Sequence, residues 1–355
     1  MAITLGKPGS PNVKTINLDS LFSLSMAARQ KNLIDAISKT NPLFFHIFNS
    51  DAYQSEDGGT HIEVPLMYAI NTAEPYDGYD LLDTTPIDGI TTATEVWRQL
   101  STAVIISNKE KKQNKKRIIK LLTTRITQAE MGFKESFNKY LIRGDLDNGN
   151  SIETDYTNPV TGRQSFHSIN HFIQKDPTTS EEVSGINQST STWWRNRQAE
   201  SSATTYDALL IELEELYDLC KRGQGGAPNL ILCDEKTKRL INFALFQRYR
   251  TIDKSTADFP FDSIKFKGMD IVADEFVADV ENDADTAEAT AGSLYMLNTQ
   301  FFGIKYESDT NFSSGAFEKP VNQDALISHI LWMGQTVCQN REKQGVLWGI
   351  ARTLT

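Results

Sequence analysis

Residues 107 to 144 read SNKEKKQNKKRIIKLLTTRITQAEMGFKESFNKYLIRG, and the spacing of their apolar side chains decides the fold. Ile118, Leu122, Ile126, Ala129, Phe133, Phe137 and Leu141 step by three or four, which lines them along one face of a helix and leaves the other face charged. Ser107 and Glu110 stand in capping-box relation, and Gly144 ends the run. A helix of about 36 residues at ~1.5 Å each makes a rod of roughly 54 Å, far above the ordinary length. Such a rod is a spine on which other elements are hung.

Working toward the N-terminus, Glu95 to Ile106 carries Val96, Trp97, Val104, Ile105 and Ile106 and reads as a strand feeding the spine. Its expected partner limb is Thr60, Ile62 and Val64, which come after the turn signal Asp57-Gly58-Gly59. Between the limbs lie Glu74-Pro75-Tyr76-Asp77-Gly78-Tyr79-Asp80 and Asp83-Thr84-Thr85-Pro86-Ile87-Asp88-Gly89, both rich in turn formers. A hairpin this long with so polar a tip is hard to fold inside a compact domain, so it is expected to project and be supported by another molecule. Glu74, Tyr76, Asp77, Tyr79, Asp80 and Asp83 are the contact candidates there. Upstream, Leu18 to Lys39 has helical spacing, and Thr40-Asn41-Pro42 stops it. The next apolar cluster, with Phe44, Phe45 and Phe48, docks either on the chain's own core or on a neighbouring copy. Residues 1 to about 16, with two prolines and no periodicity, read as an extended arm.

Toward the C-terminus, Thr205 to Arg222 is a second amphipathic helix with Gly223 as its stop. Asn229 to Cys233 is a short buried strand, and Asp234 caps a helix reaching about Arg248. Further strands are expected at Met269 to Val272, Leu294 to Asn298 and Phe302 to Tyr306, with a solvated acidic loop from Asp279 to Ala291. Ala325 to Cys338 and Gln344 to Ala351 read as long strands returning to the spine. The order of elements gives an α+β fold.

Composition narrows the function classes. The chain of 355 residues is 39% hydrophobic, enough for one large core or two modest ones. It has no apolar run near the ~18 to 20 residues of a membrane span and no signal-peptide pattern at its start, so a cytoplasmic protein is expected. Cys220, Cys233 and Cys338 lie far apart in apolar segments and read as buried reduced thiols. Forty-six acidic against 36 basic residues give a net charge of −10, which opposes gripping nucleic acid by phosphate neutralisation but is compatible with enclosing it.

A search for catalytic constellations finds none, and neither a cofactor nor a metal is expected. His167 and His171 have i, i+4 spacing but no completing ligand at recognised spacing, so they read as solvent-facing. His61 and Glu63 share one strand face but no pocket. The loop Gly223 to Gly226 lacks a phosphate-loop ending and is a turn. Trp193-Trp194-Arg195 reads as an anchor of a loop to a core. The basic run with Lys111, Lys112, Lys115 and Lys116 is either a solvated helix face or a surface for an acidic partner.

Arm, long hairpin, spine helix, strand-helix unit and terminal strands together resemble the major capsid proteins of tailed bacteriophages, with the HK97-like fold. The resemblance covers essentially the whole chain. It is reinforced by collinear strings: Leu66-Met67-Tyr68, Gln128-Ala129-Glu130-Met131, Trp193-Trp194-Arg195, Phe266-Lys267-Gly268, Asn322-Gln323-Asp324-Ala325 and Ile330-Leu331-Trp332-Met333-Gly334. It implies an N-terminal arm over residues 1–50, an extended loop (E-loop) over 51–106, and a peripheral domain with the spine helix over 107–228. An axial domain over 229–320 and return strands of the peripheral domain over 321–355 complete the expected division. It further implies a structural protein, not an enzyme, that self-assembles as pentamers and hexamers into an icosahedral shell. That shell would enclose double-stranded DNA without sequence-specific binding or a membrane, in the virion, after assembly in the host bacterial cytoplasm. A separate scaffolding protein and a portal are the implied partners, and a decoration protein is left open. Some relatives crosslink through a lysine, and Asp51 to Ile106 contains none, so no crosslink is expected. The alternative reading is another virion structural protein, a tail tube, portal or decoration protein; an enzyme using His61 and Glu63 is third.

Overall fold

The computed structural model describes residues 2–5, 14–17, 41–82, 85–113, 118–144, 156–158, 160–223, 225–248, 264–277 and 291–354. Strands β1 (Ala2–Leu5) and β2 (Lys14–Asn17) pair with each other, Ala2 opposite Asn17, so this part of the arm is a closed strand pair. The helix expected over Leu18 to Lys39 and the acidic loop after Asp279 lie outside the described residues. Asn41-Pro42, read as a stop, serves as a start. Asn41 Oδ1 accepts from Phe44 N at 3.0 Å, and Pro42 opens helix α1 (Pro42–Asn49), where its missing N–H costs nothing. The apolar cluster is thus a helix face, with Leu43, Phe44 and Ile47 fully buried.

Strand β3 (Tyr53–Ser55) comes next, then the hairpin strands β4 (His61–Met67) and β5 (Ile90–Val96), then β6 (Arg98–Ser107). The capping box is reciprocal: Glu110 N donates to Ser107 Oγ at 3.1 Å, and Ser107 N donates to Glu110 Oε2 at 3.2 Å. Helix α2 (Asn108–Gln113) starts there, and helix α3 (Ile118–Ile142) forms the spine. Glu110 reaches Arg125 at 3.4 Å and ties the two. A short helix α4 (Ile169–Phe172) and a small hairpin, β7 (Glu182–Val183) with β8 (Ile186–Asn187), continue the chain. After them stand β9 (Arg197–Glu200), helix α5 (Tyr206–Lys221), β10 (Leu230–Cys233) and helix α6 (Glu235–Arg248). The remaining strands are β11 (Ile264–Phe266), β12 (Met269–Ala273), β13 (Ala291–Leu297), β14 (Phe302–Tyr306), β15 (Ser313–Ser314), β16 (Ala325–Cys338) and β17 (Gly345–Ala351).

Two sheets organise these elements. In the first, ordered β15-β16-β14-β3, the long β16 also pairs with β6 from Ala325 opposite Ser107 to Gly334 opposite Arg98. The spine helix lies against it. Leu122, Ile126, Ala129, Phe133, Phe137 and Leu141 are all buried, as the period requires. Phe137 is the hub of an aromatic cluster, with Phe166 at 4.9 Å, Trp332 at 5.1 Å, Phe44 at 5.5 Å and Phe312 at 5.7 Å between ring centroids.

The second sheet is ordered β11-β12-β10-β13-β17-β9 and is covered by α5 and α6, which bury Leu209, Leu213, Leu216, Ile241 and Ala244 against it. Elements therefore sort differently from the expected bounds. Helix α5 and strand β17 belong with the second sheet, and β14 and β15, which precede Pro320, belong with the first. Gly345 lets α5 approach β17: a Cβ there would lie 2.7 Å from Cys220 Sγ. The terminal strand returns not to the spine but to this sheet, because Leu347 and Ile350 complete its core.

All three cysteines are buried and unpaired. Burial pushes the Cys220 and Cys338 thiols up to about 12 and raises Cys233 as well. In a thiol-reagent titration of the native protein none of the three should react, and all should after denaturation; prompt reaction of any native thiol contradicts this packing. No helix among the described residues is long and apolar enough to cross a membrane.

Candidate assembly surface

The hairpin is built by alternation. Along β4, Ile62, Val64 and Leu66 face inward while His61, Glu63, Pro65 and Met67 face outward. Across the ladder, His61 pairs with Val96 and Met67 with Ile90, so the return limb is Ile90–Val96 and not Glu95 to Ile106 as expected. The chain leaves the hairpin at Trp97. Beyond it, β6 exchanges partners and runs along β16, since a long continuous ladder in the body sheet outweighs extending a two-stranded one.

The lower half of the hairpin does not project freely: it lies on its own chain. Ser184 and Gly185, at φ of 57° and 75°, make the tight β7–β8 turn, and Thr94 N donates to Ser184 O at 3.1 Å. Tyr68 stacks on Trp193 with ring centroids 5.1 Å apart. Trp194 is the anchor expected of this segment, buried and donating from Nε1 to Val183 O at 3.0 Å.

At the hairpin base sits a group of polar side chains that sequence reasoning missed. Glu95 is only 3% exposed; its Oε1 accepts from Ser184 Oγ at 2.5 Å, and its Oε2 lies 2.8 Å from His167 Nε2. His167 and His171 stack at 3.8 Å with planes 5° apart. They are not solvent-facing. His171 sits in α4 and His167 just before its N-cap, and burial, His167 and the guanidiniums of Arg341 and Arg98 hold His171 well below the usual histidine range. Gln335 closes the base, donating to Val96 O at 3.1 Å and accepting from His167 N at 2.7 Å. The only sequence signal was the i, i+4 histidine pair; Glu95 comes from a strand joined to it by long-range packing alone.

The tip of the hairpin, residues 70–82 and 85–88, is exposed throughout. It is more apolar than expected. Tyr79 and Leu81 are fully exposed, and Ile70, Tyr76, Leu82 and Ile87 are more than half exposed. Glu74, Asp77 and Asp80 are exposed among them. Asp77 and Asp80 shape the turn: Asp77 N donates to Asp80 Oδ2, and Asp80 N to Asp77 O, both at 2.8 Å. Asp83 lies outside the described residues.

The other candidates divide. Phe44 is a correction: it is fully buried in the chain's own core and presents nothing to a neighbour. Phe45 is half-buried, and Phe48 is 41% exposed beside Tyr53. Lys112 is exposed and near Asp324, whose carboxyl is held below its usual range by the Asn108 amide first, then Lys319 and Lys112. Lys115 and Lys116, and the side chain of Lys111, are outside the described residues. His61 and Glu63 stand exposed on the outer hairpin face.

No protein-family model matches the chain, and no curated protein does. Solved structures do. The Cyanophage A-1(L) capsid asymmetric unit aligns with a TM-score of 0.62 at 14% identity, over 86% of this chain and 92% of that one. The capsid of a native GTA particle aligns with a TM-score of 0.51 at 12% identity, over 86% and 91% of the two chains. The capsid of an empty GTA particle gives 0.50 at 14% identity, over 85% and 89%. The fold is the HK97-like capsid-protein fold.

Proposed function

We propose that this chain is a major capsid protein: a structural subunit that self-assembles, as pentamers and hexamers, into the closed shell of a tailed phage and encloses its double-stranded DNA. The observation that carries this reading is the hairpin tip. A well-packed body holds out large apolar side chains, Tyr76, Tyr79, Leu81 and Leu82, on a two-stranded support, an arrangement costly in water unless another surface covers them. The capsid fold, shared along most of the chain, supports a second copy as that surface. Acidic Glu74, Asp77 and Asp80 are exposed between the apolar residues, the mixture a polar rim around an apolar contact needs.

A scaffolding protein and a portal supplied separately belong to the same reading. So does a place in the virion, with assembly in the host cytoplasm. The net charge of −10 fits a container that does not grip its contents. The test is expression of the full chain with and without its scaffold, followed by negative-stain micrographs. Closed shells or capsomer rings are the expected result. A chain that stays monomeric at every concentration with the scaffold present, or that forms only tubes, contradicts the reading.

A further inference from the structure

The geometry points to a transition-metal site at the hairpin base, formed by Glu95, His167 and His171 and suited to Zn2+ or a similar ion that imidazole binds. Each of the three offers one ligand atom, and these atoms lie within 4.8 Å of one another. The independent sign is His171 itself. Its Nε2 is buried and has no hydrogen-bond partner, an expensive state for a polar atom that nothing in the fold of the hairpin requires. The ligand set, two imidazoles and one carboxylate, is one that catalytic zinc sites use, with the fourth position left to water.

The surroundings are built as a metal site's are. Ser184 Oγ fixes the carboxylate from behind at 2.5 Å. Gln335 holds the His167 backbone at 2.7 Å. Both histidines keep some solvent contact, which gives an ion a way in. Against the ligand set stand the guanidiniums of Arg341 and Arg98, close enough to act on His171, which repel any cation. That balance disfavours Mg2+ and Ca2+, which need several oxygens, and leaves ions whose bond to imidazole nitrogen is strong.

Binding asks for a small rearrangement. Zn–N bonds of ~2.0 to 2.1 Å place two ligand nitrogens about 3.3 Å apart with lone pairs converging, whereas stacked parallel rings point theirs side by side. A turn of the His171 ring about its Cβ–Cγ bond brings its nitrogen toward the carboxylate, and the ion replaces the direct contact between Glu95 and His167. Glu95 lies on the hairpin and the histidines on the body, so the ion would rivet one to the other.

The purified full chain, stripped with a chelator, is titrated with Co2+ and followed by visible absorption, then with Zn2+ under equilibrium dialysis and thermal unfolding. One ion per chain, tetrahedral Co2+ bands displaced by Zn2+, and a raised unfolding midpoint are expected. His171→Gln should weaken Zn2+ binding by about 100-fold or more and abolish the shift, while His61→Gln, on the outer face, changes neither. Absence of stoichiometric uptake by the parent overturns the inference. So does undiminished uptake by His171→Gln, which would place the ion at another of the five histidines. If His171→Gln does not fold, the parent's Co2+ spectrum still decides, because an octahedral spectrum with oxygen ligands only is incompatible with this site.

Discussion

Replacing Tyr79, Leu81 and Leu82 together by serine should leave the chain folded and abolish shells. The three side chains touch little of their own subunit, so their removal costs the monomer almost nothing. Covered by a neighbour, each stabilises the contact by about 1.5 to 3 kcal/mol. Even a total of ~4 kcal/mol per contact raises the concentration needed for assembly roughly a thousandfold. Circular dichroism and thermal unfolding should match the parent, while sedimentation and micrographs show no closed particles. Shells formed by the triple variant at the parent's working concentration would show that the tip is not an assembly contact.

Arg341→Met should cost about 3 to 5 kcal/mol of stability in denaturant unfolding, an effect few single substitutions reach. Arg341 is fully buried, and its guanidinium serves as a hub: Nε donates to Phe172 O at 2.6 Å, and Nη1 to Trp194 O at 3.0 Å and Gln188 Oε1 at 3.1 Å. Nη2 reaches Asn196 Oδ1 at 3.3 Å. Methionine fills the volume but leaves two or three buried acceptors bare, each worth ~1 to 3 kcal/mol. Arg222→Met, at an exposed position, is the control and should stay within ~0.5 kcal/mol of the parent. A loss at Arg341 no larger than at Arg222 would mean that water replaces the guanidinium, and the hub would then be unnecessary.

The features legible in the sequence were those that depend on local period. The buried stripe of α3, the capping box at Ser107, the stop of α5, and the span of β16 derive from side-chain spacing and turn chemistry, and the structure reproduces them. The illegible ones depend on which distant segments meet. Trp97 ends the hairpin only because β16 offers Arg98 a better partner. Strand β17 has the same apolar pattern whichever sheet it enters, and the cores of α5 and β13 decide. Asn41-Pro42 carries two opposite signals, a stop for the segment before it and a start for the helix after it, and only the second falls on described residues. The tip looked polar because its turn formers hid the apolar residues between them. The paired histidines looked exposed because their covering residues, Glu95 and Arg341, come from elsewhere in the chain.

The pairing of β6 with β16 also sets a timetable. Gln335 and Val96, hydrogen-bonded at the hairpin base, are 239 residues apart in the chain, and β3 waits for β14 across a similar distance. Contacts so far apart close late, after the loop between them has been synthesised and ordered. A ribosome releases about 5 to 20 residues per second, so the hairpin can exist for ten seconds or more before the strand that seats it emerges. During that interval the nascent chain carries its apolar tip without the body that later holds it out. Under the proposed assembly role, this delay would keep half-made subunits from joining others, so that polymerisation would begin with finished chains.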